Sequence, residues 1–292
     1  MAGMSASIIG DDGHRKAPSE SPKYPDFGAI EVEFDGRLAI VTLGSDPNRA
    51  NPSDKMTPAL TEFFRIVRYD PNVRGILLQG RGNKFSSGGN VKGMRDQAGR
   101  MGNVAENPDW VARIPVDRSD ELIMAMLSVD APIVAAVTGH AIGAGLGLAL
   151  WSDIAVIDEN AKIGDPHVRR GLASPSAYSF PGLIGLPRAR AMLLTGRLIR
   201  GSKAAEIGLI DQAVPADEVV STAREVLDDL AALPPLAVRW TKRQLNYMVK
   251  EQFLRYSTAG SALESLTMLS TDHARSVAAW LDKEPEPDYE GR

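Results

Sequence analysis

The chain has 292 residues, 43% apolar and 24% charged, a balance that supports one sizeable core or a core with a smaller appendage. A formal charge of −4 argues against nucleic acid as a main partner, and the absence of cysteine excludes disulfides, thiol nucleophiles and cysteine-held metals. No window of about 18 apolar residues runs uninterrupted, so no membrane span is expected. Residues 1–27 lack an apolar signal region and read as a flexible tail of Ser, Pro, Gly and charge, so the expected location is the cytoplasm.

Residues 29–43 alternate apolar and polar around Asp35-Gly36, which predicts a hairpin. "SDKMTPALTEFFRIVRYD" opens on a Ser/Asp cap and predicts a helix with Leu60, Phe63, Phe64 and Val67 on its apolar face. "VRGILLQG" is a short apolar strand, followed by the glycine turn of "KFSSGGNVKGM", where Asn90 is placed to cap a helix. Residues 95–116 are polar, with Gly, Asn and Pro, and read as a mobile insertion that shapes the substrate pocket. Then come helix "DELIMAMLSV", buried strand "APIVAAVTG", helix "GAGLGLALWS" and strand "DIAVID". Strands alternating with helices predict a largely parallel sheet. After residue 186 the pattern turns helical, with one short strand at "DQAV"; separate helices are predicted over 235–257 and 261–283.

Two places share one order: buried strand, glycine turn, helix start. They are Ser87-Gly88-Gly89-Asn90 and Gly143-Ala144-Gly145. A helix start offers free N–H groups, and residues with little or no side chain let a ligand approach the backbone. Two such amides from neighbouring turns of one sheet can converge on a single oxygen, which is how an oxyanion hole is made. Two other readings stand beside this one. Gly143, Gly145 and Gly147, with Asp158 ending the next strand, mimic a dinucleotide fingerprint whose third glycine comes one position early. Alternatively, the small residues serve only tight packing of helix on sheet.

"FSSGGNVKGM", "AAVTGHAIGAGLGLALWSDIAVIDENAKIGDP" and "LLTGRLIRGSKAAEIGLIDQAVP", followed by "PPLAVRWTKRQLN" and the segment from "STDHARS" to the end, keep the order and spacing of one family. From about residue 29 onward the chain resembles the crotonase (enoyl-CoA hydratase/isomerase) superfamily. The resemblance implies an α/β fold: a crotonase-like ββα spiral core over 28–200 and a helical C-terminal trimerisation region over 201–292. It implies homotrimers or dimers of trimers, and an acyl-CoA thioester substrate whose oxygen becomes an enolate, with coenzyme A entering only as part of that substrate. It assigns the oxyanion amides to Gly89 and Ala144, and the coenzyme entrance to Ser86, Ser87, Gly88, Gly89, Asn90, Val91 and Lys92, with Gly143 beside them. Lys283 and Tyr289 resemble residues that approach the nucleotide part.

The two glutamates that hydratases of this family use are both absent. The first position is Gly147. The second, at the end of Asp165-Pro166-His167, is His167. An imidazole with an ordinary pKa near 6.5 suits proton transfer around neutrality, so His167 is the candidate base and Asp165 its candidate orienter. The bland alternative for His167 is a structural, hydrogen-bonded histidine. Ser174, Ser176 and Tyr178 can offer hydroxyls to a substrate or bond their own backbone. Arg169 and Arg170 fit either phosphate or plain surface charge. His140 is read as packing; His14 and His273 are not candidates. No ligand spacing suggests a metal. One base fits double-bond isomerisation or cleavage of a β-keto thioester. The rival classes are a non-catalytic acyl-CoA-binding scaffold and a nucleotide-dependent dehydrogenase.

Overall fold

The computed structural model describes residues 21–44, 55–89, 91, 116–175 and 177–291. The cap at residues 53 and 54, Asn90, most of the predicted insertion at 95–116 and Ser176 therefore lie outside the described residues. So do Lys92 and His14.

Among the described residues, strands β1 (Ile30–Asp35), β2 (Leu38–Leu43), β3 (Gly75–Gly80), β4 (Ile133–Val137), β6 (Ile154–Asp158) and β9 (Gln212–Val214) form a six-stranded sheet in the order β1-β2-β3-β4-β6-β9. The predicted hairpin pairs antiparallel, Asp35 against Leu38 and Ile30 against Leu43, and every later pairing is parallel. A parallel sheet is normally covered on both faces, and the strands show this directly. Ile133, Ala135 and Val137 face one core; Val134 and Ala136 face the other; all five are fully buried.

The larger core receives α1 (Met56–Val67) through Leu60, Phe63, Phe64 and Val67, all buried as the spacing predicts. It also receives α2 (Val116–Leu127) and α3 (Ala144–Leu150), whose Leu146, Leu148 and Ala149 are buried. The opposite face is covered by α7 (Val219–Ala232), which buries Val219, Ala223 and Leu227 against Leu38, Leu77, Val134 and Val156. The chain after residue 200 thus supplies both the sixth strand and the helix that closes one face of the sheet.

Three short strands, β5 (Ala141–Ile142), β7 (Lys162–Gly164) and β8 (Ile199–Arg200), form a second sheet in the order β5-β7-β8. Between β7 and α7 lie a 3-10 turn at His167–Arg170 and three short helices: α4 (Phe180–Ile184), α5 (Leu186–Leu193) and α6 (Gly201–Glu206).

One prediction fails at the C-terminus. The two helices expected over 235–257 and 261–283 are instead α8 (Pro235–Met268), 34 residues long and continuous, and α9 (Thr271–Asp282). Ser257-Thr-Ala-Gly260-Ser reads as a break because glycine weakens a helix. Here Gly260 serves packing: a Cβ at that position would stand 2.7 Å from the Pro175 carbonyl oxygen, so only glycine lets α8 lie against that loop.

Candidate active site

The site is organised by the second sheet. Ser86, beyond the end of β3, forms a parallel bridge with Ala141 of β5, and β5 pairs in parallel with β7. Phe85 N–H donates to the Thr138 carbonyl (2.8 Å), Ser86 N–H to that of His140 (3.0 Å), and Ile142 N–H to that of Ser86 (3.2 Å). The two glycine turns predicted from sequence are therefore laid edge to edge. Gly145 sits at the contact: a Cβ there would come within 2.5 Å of Ser86 Cβ and 2.7 Å of its carbonyl oxygen. Gly143 precedes α3 with φ 54° and ψ −116°, a backbone that side chains oppose, and its N–H donates to the Gly164 carbonyl at 3.0 Å. Among the described residues, no acceptor pairs with the Gly89 or Ala144 amide. Gly88 (φ 99°) is buried and donates to Ser86 Oγ at 3.3 Å; Val91 is half-buried.

The bond from Gly143 to Gly164 also brings the Asp165 loop over the turn. Asp165, directly after β7, folds back on its own chain: its Oδ1 accepts the His167 backbone N–H (3.0 Å) across Pro166, the short-range bond aspartate favours in turns. The same oxygen meets His167 Nδ1, and Oδ2 accepts from Ser174 Oγ at 2.5 Å. Asp165, with 4% of its side chain exposed, is thus satisfied on both oxygens. Its His167 partner reaches Gly143, where an added Cβ would lie 3.7 Å from His167 Cε1. Burial works against charge on His167, but the Asp165 carboxylate outweighs it, with help from Glu264, and holds the imidazole above its ordinary value. Burial likewise opposes charge on Asp165, yet His167 and Ser174 hold it below the usual carboxylate range.

Glu264 is the residue that sequence reading missed. It comes from α8, its side chain is 11% exposed, and its Oε1 faces His167 Nε2 at 3.6 Å. Burial, opposed by His167 and assisted by Asp165 and Asp120, pushes its carboxyl up from 4.5 to about 7. No local pattern marks a glutamate inside a long helix, and only the fold brings it to the loop. Ser174, expected to face substrate or its own backbone, instead holds Asp165. Tyr178 packs among Trp151, Phe253 and Tyr256, with ring centroids 6.2–6.5 Å apart. A Cβ at Gly147, the vacant glutamate position, would lie 3.7 Å from Trp151 Nε1.

The remaining candidates are placed elsewhere. His140, read as packing, is exposed, and its Nδ1 accepts the Lys162 N–H at 3.1 Å. His273 is buried and clamps the 3-10 turn through Nδ1 to the Arg170 carbonyl (2.6 Å), beside Ser276 Oγ to the Arg169 carbonyl (2.8 Å). Arg169 donates to the Thr195 carbonyl at 3.0 Å, and Arg170 lies 5.3 Å over the Trp280 ring. Lys283 and Tyr289 are exposed near the C-terminus. Among the described residues, no helix is long and apolar enough to cross a membrane.

A family model described as enoyl-CoA hydratase/isomerase matches residues 33–292. The chain is 28% identical to a carnitinyl-CoA dehydratase of Salmonella paratyphi A, over 90% of this chain and 99% of that protein. It is 26% identical to a short-chain-enoyl-CoA hydratase of Clostridium acetobutylicum, over 74% and 80% of the two chains. A crystal structure of an enoyl-CoA hydratase/isomerase from Mycobacterium paratuberculosis superposes with a TM-score of 0.75 at 30% identity, covering 86% of this chain and 97% of that one. A match over nearly the whole chain, together with paired glycine turns beside a β7 loop, makes this protein a member of the enoyl-CoA hydratase/isomerase family, with an α/β crotonase fold.

Proposed function

We propose that this protein forms an enolate from an acyl-CoA thioester, held by the Gly89 and Ala144 amides, with His167 as the base that Asp165 and Ser174 orient. The observation that carries the reading is the Asp165–His167 pair next to Gly143, at the turn that opens α3. Each amide donor aimed at a developing oxyanion contributes about 3 kcal/mol to the transition state. Asp165 fixes the tautomer with hydrogen on Nδ1, leaving Nε2 free to take a proton. The segment from Ser86 to Lys92 lines the coenzyme entrance, and coenzyme A arrives only with the substrate.

A proton shuttled between two carbons, as in isomerisation of a β,γ-enoyl thioester, can be carried by this single base. Cleavage of a β-keto thioester is the second reading, favoured by the carboxylate-polarised imidazole, which is suited to activating water. The family's two-glutamate hydration is not supported, because Gly147 has no side chain to orient water.

The protein works as a homotrimer or a dimer of trimers in the cytoplasm. Leu245, Met248, Leu254, Leu263 and Leu266 of α8 are exposed in the single chain, Met248 by 72%, and such apolar faces are usually covered. Light scattering on the eluted protein reads this directly as three or six times 31.4 kDa. For the chemistry, wild type and H167A are incubated in deuterated water with enoyl-, β,γ-enoyl- and β-keto-CoA thioesters. Deuterium uptake or product that disappears in H167A supports the reading. Tight coenzyme A binding with no exchange in either protein leaves a binding scaffold.

A further inference from the structure

Moving a double bond takes a proton from one carbon and gives one to another, work that one base does in two strokes or two groups share. The β7 loop provides His167; α3 provides no side chain at Gly147. Among the described residues, the other carboxyl group against His167, besides the already engaged Asp165, is that of Glu264. Its placement is not incidental to the packing. Gly260, one turn earlier on α8, admits the Pro175 carbonyl at a distance no side chain would allow, and Thr267 Oγ1, three residues later, accepts the Ala173 N–H at 2.9 Å. These two anchors fix α8 on the 173–175 loop and deliver Glu264 between them, largely buried, to the free side of the imidazole.

We infer that Glu264 is the second acid–base group of the site, a role that Gly147 leaves unfilled on α3; this rests on the enolate reading above. His167 Nε2 removes the proton α to the thioester, and the C–H electron pair passes through the dienolate to the thioester oxygen. Protonated Glu264 gives its proton to the γ carbon as those electrons return to form the α,β double bond. The proton on Nε2 then passes to Glu264 Oε1, which faces it at 3.6 Å, and both groups are restored. A carboxyl group near neutrality is half protonated when needed, which suits this exchange. Besides each other, the groups that bear on the pair are Asp165 after β7, Asp120 on α2 and His273 on α9.

The test uses full-length wild type, H167Q, E264Q and E264D with a β,γ-enoyl-CoA in deuterated water, alongside 15N–1H NMR of the His167 ring, assigned through H167Q. E264Q is expected to keep exchange at the α carbon but lose about 10²- to 10⁴-fold in formation of the α,β-enoyl product, with E264D recovering part. Its His167 titration should move to lower pH, because a negative partner is gone. Product formation at the wild-type rate in E264Q, or a His167 titration that does not move, overturns the inference. If wild type neither exchanges nor turns over, the enolate reading itself fails, while the NMR titration still reports on the Glu264–His167 pairing. E264D, which keeps the acid, carries the test should E264Q be misfolded by circular dichroism.

Discussion

Replacing Asp165 with asparagine tests the core of the site with almost no change in shape. Three interactions converge on the Asp165 carboxylate: the His167 ring, the His167 backbone N–H at 3.0 Å and the Ser174 hydroxyl at 2.5 Å. Asparagine can keep one oxygen acceptor but presents an NH₂ group in place of the other. If that NH₂ faces Nδ1, the imidazole hydrogen moves to Nε2 and the base is lost; if it faces Ser174, two donors oppose each other. A hydrogen bond to a charged group contributes about 1.5–3 kcal/mol net, and breaking a buried charged pair costs about 3–5 kcal/mol. Loss of a positioned base lowers rate by about 10²- to 10⁴-fold. In D165N the maximal rate should therefore fall into that range. The acid limb of kcat/KM against pH should move to lower pH, because burial is then the main influence on His167 and disfavours its charge. The assay is deuterium exchange at the α carbon across pH 5 to 9, with melting temperature measured in parallel. A D165N enzyme that keeps its acid limb and loses only stability would refute the orienting role.

Further outcomes follow from particular contacts. Gly145→Ala drives a Cβ against Ser86 at 2.5 Å and should cost about 1–3 kcal/mol by urea unfolding and abolish exchange, whereas Gly147→Ala, 3.7 Å from Trp151 Nε1, should raise stability by up to about 1 kcal/mol. Lys242→Ala strips the buried ammonium that meets Asp153 Oδ2 and the Ala131 carbonyl, both at 2.7 Å, and should cost about 3–5 kcal/mol, read by urea unfolding. Because Glu264 is raised from 4.5 to about 7, the native state holds its proton more tightly than the unfolded chain. That contribution is complete below about 4.5 and is lost as pH rises through 7, amounting to about 3 kcal/mol at 1.36 kcal/mol per unit. Wild-type stability should fall over that interval and E264Q should flatten the slope; equal slopes in the two proteins would contradict it.

Parts of this site were legible because they are local. Asp35-Gly36 closes a hairpin, Phe63 and Phe64 mark a buried helix face, and Asp165-Pro166-His167 builds its own turn from a carboxylate and the N–H two residues later. Other parts were hidden for physical reasons. β5 and β8 are two residues long and β7 three, too short to show any period. Gly260 looked like a helix break because the carbonyl it accommodates belongs to Pro175, 85 positions earlier. Glu264 carries no local signal, being one charge among many along a long helix. Its value depends on that same glycine, since α8 can approach the loop only where its side chains stop.

The division between backbone and side chain also says how such a site can change its chemistry. In the proposed function the enolate oxygen is bound by amides whose positions depend on strand pairing from Ser86 to Gly164, which added bulk at Gly88, Gly143, Gly145 or Gly164 would disturb. In the same proposal proton handling falls to the side chains of His167 and Glu264, with none at Gly147, and none of these three positions carries that pairing. A substitution at these three positions can therefore alter which carbon or water is protonated while enolate binding persists. Gly145→Ala and Glu264→Gln separate the two halves: the first should remove enolate formation together with stability, the second only what happens to the proton afterwards.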